Sequence, residues 1–210
     1  MIKVLNLYAG IGGNRKLWQG VEVTAVENNE CIAEIYQNHF PNDIMIVGDA
    51  HEYLEDHFRE FDFIWTSPPC QTHSSFRQNI CVRYRHTPAR YADMRLYQEI
   101  LFLRFNAKCK WVVENVQPYY KPLLEANKIG RHLLWSNFDI PEKFYEGPKI
   151  RKAQIPQLQK QTGFDLSGYK LPNKRQILRN CVDSRLGLHV FNSAVSAMEK
   201  ENEEKRLIMS

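Results

Sequence analysis

The sequence predicts an α/β protein built on a doubly wound, mostly parallel β-sheet. Short apolar segments alternate with segments of helical length and periodicity between residues 2 and 135. This alternation is typical of parallel strands that are joined by crossover helices. A glycine-rich loop follows the first strand, an acid ends the second, and Gly48-Asp49 follows the third. Since ligands of such sheets bind beyond the carboxyl ends of the strands, we expect the functional groups at that edge.

The expected elements follow from these apolar segments in chain order. Six strands are predicted over residues 2–7, 21–27, 44–47, 61–66, 110–114 and 132–135. Helices are predicted between them over residues 30–40, 51–58, 91–107 and 118–127, the last with a proline near its first turn. Residues 71–90 carry several arginines and no clear periodicity, which indicates a long loop of functional importance.

The composition changes after residue 141. Residues 142–173 are rich in Pro, Gly, Lys and Gln, so they form either a small lobe or an extended connector, and residues 188–198 have a mildly amphipathic helical pattern. We therefore divide the chain into a main domain over residues 1–140, a connector or small lobe over residues 141–180, and a C-terminal helix over residues 181–210.

Composition and charge restrict the classes of function. The chain has 210 residues and a formal net charge of +4, which permits a nucleic-acid partner without requiring one. The sequence contains no apolar run of about 18 residues and begins directly with a strand-like segment, so we expect a cytoplasmic protein without a membrane span. Its five cysteines form no C-x-x-C pair and no ligand spacing with histidine, which predicts that no metal is bound.

The ends of the first three strands suggest a nucleoside site. The first strand is followed by A-G-I-G-G at residues 9–13, and glycines allow a backbone to approach a ligand closely. Glu27 ends the second strand, where an acid commonly accepts hydrogen bonds from ribose hydroxyls, and Asp49 follows the third, where it can meet an exocyclic amine. Neither a full dinucleotide motif nor a P-loop is present. S-adenosylmethionine, a nucleoside cofactor without a phosphate, therefore fits better, although a plain turn would also explain the glycines alone.

The strand over residues 61–66 leads into a potential nucleophile. It ends at Ser67-Pro68-Pro69, and the next residue is Cys70. A thiol held at a rigid strand-to-loop corner suits covalent chemistry. The alternative is a proline pair that only ends a strand, followed by a buried cysteine of structural importance.

Three motifs in this order resemble the DNA (cytosine-5) methyltransferase family and its close relatives that act on tRNA. They are LNLYAGIGG at residues 5–13, SPPCQ at residues 67–71 and WVVENV at residues 111–116. The resemblance covers about residues 1–140, and the short chain looks like the DNA methylases of phages and prophages. It implies a Rossmann-like fold that uses S-adenosylmethionine, with duplex DNA as the partner in the cytoplasm of a bacterial or phage-infected cell.

The resemblance also implies roles for individual residues. Cys70 would be the nucleophile, Glu114 would contact N3 of the cytosine, and Arg131 would contact its O2. Protonation of Glu114 would require a raised pKa, and nearby arginines would favour the Cys70 thiolate. The cofactor would be held by Tyr8, Ala9, Gly10, Gly12, Gly13, Glu27, Asn28, Asp49, Ala50 and Pro68.

The arginine-rich segment over residues 71–90 would contact DNA. Because the target base lies inside a duplex, it must be flipped out, and this segment would close over the gap. The expected contacts are Gln71, Ser74, Arg77, Arg83 and Arg85.

Several positions depart from the family pattern. Asn6 stands where an acid is usual, Asn28 stands where an apolar residue usually stacks on adenine, and Arg131 is the single arginine of its motif. Residues 142–173 are also too few for a full recognition lobe, which a partner subunit or a second copy of the chain would have to replace. Two alternatives therefore stay open: a weakly active or inactive protein that binds nucleic acid or a partner subunit, and an RNA cytosine-5 methyltransferase.

Overall fold

The structure, a computed structural model, describes residues 1–143 and 153–209. Residues 144–152 of the predicted connector and residue 210 of the predicted C-terminal helix lie outside the described residues. The described chain forms one sheet of seven strands: β1 (Ile2–Leu7), β2 (Val21–Glu27), β3 (Ile44–Val47), β4 (Phe63–Thr66), β5 (Lys110–Val116), β6 (Asn127–Ile129) and β7 (His132–Ser136).

The strand order is β3-β2-β1-β4-β5-β7-β6, with β1 to β5 parallel and β7 antiparallel to both β5 and β6. This arrangement confirms the predicted α/β class and its mostly parallel sheet. The chain runs outward from β1 in both directions, so strand order reverses between β1 and β4. There Leu7 pairs with Thr66, which brings the two loops that follow these strands side by side. Ligands of open parallel sheets bind at such a reversal.

Helices cover both faces of the sheet. One face packs against α2 (Ala50–His57) and α3 (Arg95–Asn106), and the other packs against α6 (Ser184–Met209). β1 and β4 are buried on both faces, which explains their nearly continuous apolar sequences. Helix α6 extends beyond the amphipathic pattern of residues 188–198 at both ends, and its N-terminal half forms part of the core.

The described part of residues 141–180 is a small lobe that packs on the main domain. It contains α4 (Ile155–Thr162) and α5 (Lys174–Asn180). Leu158 of α4 and Leu178 of α5 share an apolar cluster with Ile11 of the first loop and with Ile35 of α1 (Glu30–His39). In the described residues, this region is therefore folded against the main domain.

Two predictions of local structure are wrong. Residues 118–127 form no helix: they form turns that lead into β6. Pro122 lies in the interior of the predicted helix, where it removes an N–H donor and clashes with the preceding turn. Residues 71–90 are not simply a loop, because they contain a π-helical segment, Arg77–Val82.

The described residues contain no helix long and apolar enough to cross a membrane. Across the same ranges, no group of three His, Cys, Asp or Glu side chains could hold a metal ion.

Candidate active site

The loop after β1 is a tight turn that depends on its glycines. The φ angles of Tyr8, Gly10 and Gly12 are 54°, 55° and 87°, a region that glycine adopts without strain. The space around the missing side chain of Gly10 is open, with no atom within 4 Å. At Gly13, a Cβ would lie 2.7 Å from the main-chain oxygen of Val182, so this glycine lets the C-terminal segment approach closely.

Glu27 ties the end of β2 to this loop. Its Oε2 accepts a hydrogen bond from the Gly10 N–H at 3.1 Å, and its Oε1 accepts one from the Asn29 N–H at 3.0 Å. Burial raises the pKa of Glu27, and these N–H groups act in the opposite direction. The carboxylate is therefore fixed beside the open space at Gly10, where it can accept further hydrogen bonds from hydroxyl groups.

Three residues predicted to bind the cofactor do not line the cavity described below. Asp49 instead caps α2 through the His51 N–H at 2.8 Å and accepts a hydrogen bond from Arg95 at 3.1 Å. Ala50 is buried in the first turn of α2. Gly12 packs so closely on the ring of Phe40 that a Cβ would overlap it. All three residues lie near the predicted edge of the sheet. Their contacts with neighbouring groups, however, keep them out of the cavity lining.

A buried carboxylate that was not predicted supports the same loop. Glu99 of α3 is fully buried and accepts hydrogen bonds from the Tyr8 hydroxyl at 2.5 Å and the Thr66 hydroxyl at 2.6 Å. His51 Nδ1 lies 3.0 Å from the same side chain, and this hydrogen bond raises the pKa of His51 despite partial desolvation. Glu99 thus joins the ends of β1 and β4 to α2. Its position on the apolar face of a helix is the sequence signal that indicates a buried role.

Cys70 is held at the corner after β4. Asn115 Nδ2 donates a hydrogen bond to the main-chain oxygen of Pro68 at 3.0 Å, which fixes the proline pair to β5. Burial and the neighbouring Glu114 raise the pKa of the Cys70 thiol to about 11, although Arg131 acts in the opposite direction. Arg131 thus favours the thiolate in the expected direction, but desolvation and the Glu114 carboxylate outweigh this single arginine in the free protein.

Glu114 is buried on β5 beside a residue that was not predicted. His132 Nδ1 lies 2.5 Å from Glu114 Oε1, in a buried pair. Burial raises the pKa of Glu114, but His132, Ser67 and Arg131 outweigh burial and lower it. The predicted raised pKa is therefore wrong for this state. The antiparallel pairing of β5 with β7 places Val116 opposite His132, which brings the imidazole to the face that carries Glu114.

Arg131 precedes β7 and reaches the small lobe. Its Nη2 donates hydrogen bonds to the main-chain oxygens of Arg179 at 3.2 Å and Cys181 at 3.4 Å. The guanidinium group also acts on the pKa of both Cys70 and Glu114, so the three predicted catalytic residues are neighbours. The segment after α5 therefore fixes the position of the arginine.

The segment over residues 71–90 is anchored by His73. Its ring is fully buried between the Tyr120 hydroxyl, 2.6 Å from Nδ1, and the main-chain oxygen of Asp93, 2.9 Å from Nε2. Three of the predicted nucleic-acid contacts line the cavity, and two do not. Those that do are Gln71, Ser74 and Arg77; those that do not are Arg83 and Arg85.

One cavity of about 1000 Å³ brings most of these groups together. Gly10, Glu27 and Asn28 line it together with Cys70 and Glu114. Its volume suits an organic ligand of nucleoside size or larger. The remaining predicted residues that line it are Tyr8, Ala9, Gly13, Pro68 and Arg131. The arrangement offers a carboxylate for ribose hydroxyls and a thiol, a carboxyl group and a guanidinium group for a flat polar ring.

Comparison with known proteins identifies the family of the chain. The family model for C-5 cytosine-specific DNA methylase matches residues 2–117, which is more than half of the chain and includes Cys70 and Glu114. No curated protein matches the sequence.

Solved structures resemble parts of the chain. An E. coli protein encoded within a prophage and described as a DNA modification methyltransferase has 21% identity and a TM-score of 0.39, over 58% of this chain and 34% of its own. DNMT2 of Spodoptera frugiperda has 23% identity and a TM-score of 0.39, over 59% and 38%. The chain thus spans about a third of the length of the prophage protein. With the family match over residues 2–117, the protein belongs to the C-5 cytosine-specific DNA methylase family.

Proposed function

We propose that the protein transfers a methyl group from S-adenosylmethionine to C5 of cytosine in DNA, through a covalent bond between Cys70 and C6 of the base. The observation that carries the proposal is the shared cavity, in which Cys70, Glu114 and Arg131 lie together with Glu27 and the glycine loop. Family membership gives the reaction class, and the neighbouring thiol, carboxyl and guanidinium groups give the chemistry.

The cofactor half of the cavity fits a nucleoside. The half-buried Glu27 carboxylate, fixed by two N–H groups, would accept hydrogen bonds from the ribose hydroxyls, and the open backbone at Gly10 would leave room for the amino-acid part. We assign the adenine end to the part of the cavity lined by Asn28 and Ile32, because Asp49 lies elsewhere. When bound, S-adenosylmethionine supplies a methyl group that is activated by its sulfonium.

The base half of the cavity suits activation of a cytosine. The thiolate of Cys70 adds to C6, and the electron pair of the C5–C6 bond makes C5 nucleophilic. Arg131 stabilises negative charge at O2, and protonated Glu114 donates a hydrogen bond to N3. After C5 is methylated, a base or water removes the C5 proton, the C5–C6 double bond forms again, and the Cys70 sulfur leaves. The base reaches this site by flipping out of the duplex.

Because its pKa is lowered, Glu114 must take up a proton before it can donate a hydrogen bond to N3 of the base. A carboxylate would repel the lone pair of N3, so entry of the base raises the pKa of Glu114 and favours its protonation. The hydrogen bond between Glu114 and His132 Nδ1 gives a direct route by which a proton can reach the carboxylate. Protonation of Glu114 also removes a negative charge that raises the pKa of Cys70. Protonation of Glu114 therefore allows the hydrogen bond to N3 and also favours the thiolate form of Cys70.

The test is methyl transfer to mixed-sequence duplex DNA, followed by mapping of 5-methylcytosine at base resolution. We expect methylated cytosines in a defined sequence context with the wild-type chain and none with Cys70→Ser. Competition between duplex DNA and tRNA in the same assay distinguishes DNA from RNA as the substrate. Methylation of tRNA alone would refute the proposed DNA substrate.

A binding protein with weak or no activity is the second candidate. It is favoured by the contact between Asp49 and Arg95 and by the high pKa of the Cys70 thiol. Calorimetry with S-adenosylmethionine separates the two candidates. Specific binding that is lost in Glu27→Gln supports the enzyme, and the absence of any binding heat supports the second candidate.

A further inference from the structure

We propose that helix α5 binds the phosphates of the DNA strand that carries the target base. This inference rests on the proposed function, since it concerns the strand whose cytosine enters the cavity. α5 carries Lys174, Arg175 and Arg179, and all three line the same cavity as Cys70. Arg77 of the π-helical segment lines it as well.

The charge of the cavity lining favours a polyanion. Lysine and arginine supply five of its side chains, whereas its carboxylates are Glu27 and Glu114. Both carboxylates are already held by hydrogen bonds, Glu27 by main-chain N–H groups and Glu114 by His132. Positive charges therefore outnumber negative charges in the cavity lining, so an anionic strand would meet little electrostatic repulsion there. Sequence-independent contacts of this kind supply most non-specific DNA affinity.

Helix α5 is held in place by packing and hydrogen bonds. Leu178 is fully buried in the cluster that joins the small lobe to the main domain, and Arg175 Nε donates a hydrogen bond to the main-chain oxygen of Ala153 at 3.1 Å. Arg131 donates to the main-chain oxygen of Arg179, which couples the end of α5 to the base site. A strand bound by α5 would therefore be held at a set distance from Cys70.

Arg179 supplies an independent indication of a missing acceptor. Its Nε is buried and has no hydrogen-bond partner among the described residues. A buried donor without a partner is costly, so the Arg179 guanidinium group would gain by turning further into the cavity that it lines, where a phosphate oxygen could accept its hydrogen bonds. Lys174, Arg175 and Arg179 extend over about 7 Å of helix axis, so their charges reach more than one point of the cavity lining. Charges spread in this way suit a nucleic-acid strand better than a single small anion.

The test measures the salt dependence of DNA binding with the full chain. The variant is Lys174→Ala/Arg179→Ala, and its matched control is Lys200→Ala/Arg206→Ala, which removes the same two residue types from exposed positions of α6. The ligand is the mixed-sequence duplex used in the methylation assay. We expect the slope of log K against log salt to fall by about 0.9 for each phosphate that the protein no longer neutralises, so by nearly 2 in the variant and by close to zero in the control.

A second variant distinguishes the loss of a charge from a loss of folded structure. Lys174→Gln keeps the aliphatic stem and removes one charge, and we expect it to reduce the slope by about 1 with an unchanged thermal unfolding midpoint. An unchanged slope in both variants, or an equal reduction in the α6 control, would overturn the inference. So would α5-dependent binding of tRNA without binding of the duplex.

The outcomes also separate this inference from the proposed function. Methylation of DNA by the wild-type chain, together with an unchanged slope in the α5 variants, would overturn the α5 surface alone. A wild-type chain that neither binds nor methylates DNA would refute the proposed function and, with it, the α5 surface.

Discussion

Neutralising Glu114 should make Cys70 more reactive in the free protein. The pKa of this thiol is about 11, compared with 9.0 for an unperturbed cysteine, and Glu114 contributes to the increase. At pH 8 the thiolate fraction is therefore about one in a thousand, roughly a hundredfold below that of an unperturbed thiol. Because alkylation proceeds through the thiolate, its rate should rise about tenfold with each pH unit until the pH approaches the pKa.

The assay is alkylation with iodoacetamide between pH 7 and pH 10, followed by mass spectrometry of the peptides that contain Cys70 and the exposed Cys31. With a pKa of about 11 the rate should rise through this whole range without levelling off, and this shape, unlike the absolute rate, does not depend on steric access. We expect Glu114→Gln to increase the rate at Cys70 by at least about threefold at pH 8, because a buried negative charge is removed. Arg131→Gln should slow it, because Arg131 lowers the pKa of the same thiol. A wild-type midpoint below pH 9, or slower alkylation in Glu114→Gln, would refute this electrostatic account.

Three further predictions concern stability. Leu178→Ala should cost about 2–5 kcal/mol in urea unfolding, because a fully buried side chain leaves a cavity between α5 and the main domain, and a loss below about 1 kcal/mol would contradict this packing. Gly187→Ala should lower the thermal midpoint, since its Cβ would collide with the main chain of the first loop, whereas Gly168→Ala, with no atom within 4 Å, should leave the midpoint nearly unchanged. His51→Gln should be more destabilising at pH 6 than at pH 9. The hydrogen bond to Glu99 raises the pKa of folded His51, so its contribution is complete below about pH 6.5 and is lost as the pH rises through the raised value.

Sequence reasoning succeeded where the signal was local. The apolar segments that form β1 and β4 predict buried strands, because a strand covered on both faces has few polar positions. The proline pair before Cys70 predicts a strand end, and the glycines after β1 predict a tight turn, because each residue type restricts its own backbone. These local rules were sufficient to place Cys70 and the glycine loop at one edge of the sheet.

Sequence reasoning failed where a distant partner decides the outcome. The lowered pKa of Glu114 depends on His132, which reaches it through the antiparallel pairing of β5 with β7. Asp49 occupies the expected sheet edge, but Arg95 from a helix much later in the chain contacts it. Periodicity and short motifs do not predict such contacts, because the two residues lie far apart in the chain. These contacts can be predicted only once the order of the strands in the sheet is known.

The central claim is covalent attack by Cys70 on cytosine, and a trapping experiment tests it most directly. The chain is incubated with S-adenosylmethionine and duplex DNA that carries 5-fluorocytosine at the mapped target position. Fluorine cannot be removed as the C5 proton is, so the covalent complex persists. The account predicts a denaturant-stable protein–DNA adduct, located by mass spectrometry in the peptide that contains Cys70 and absent from Cys70→Ser. An adduct that survives in Cys70→Ser, or methylation of normal DNA without any adduct on the fluorinated duplex, would contradict it.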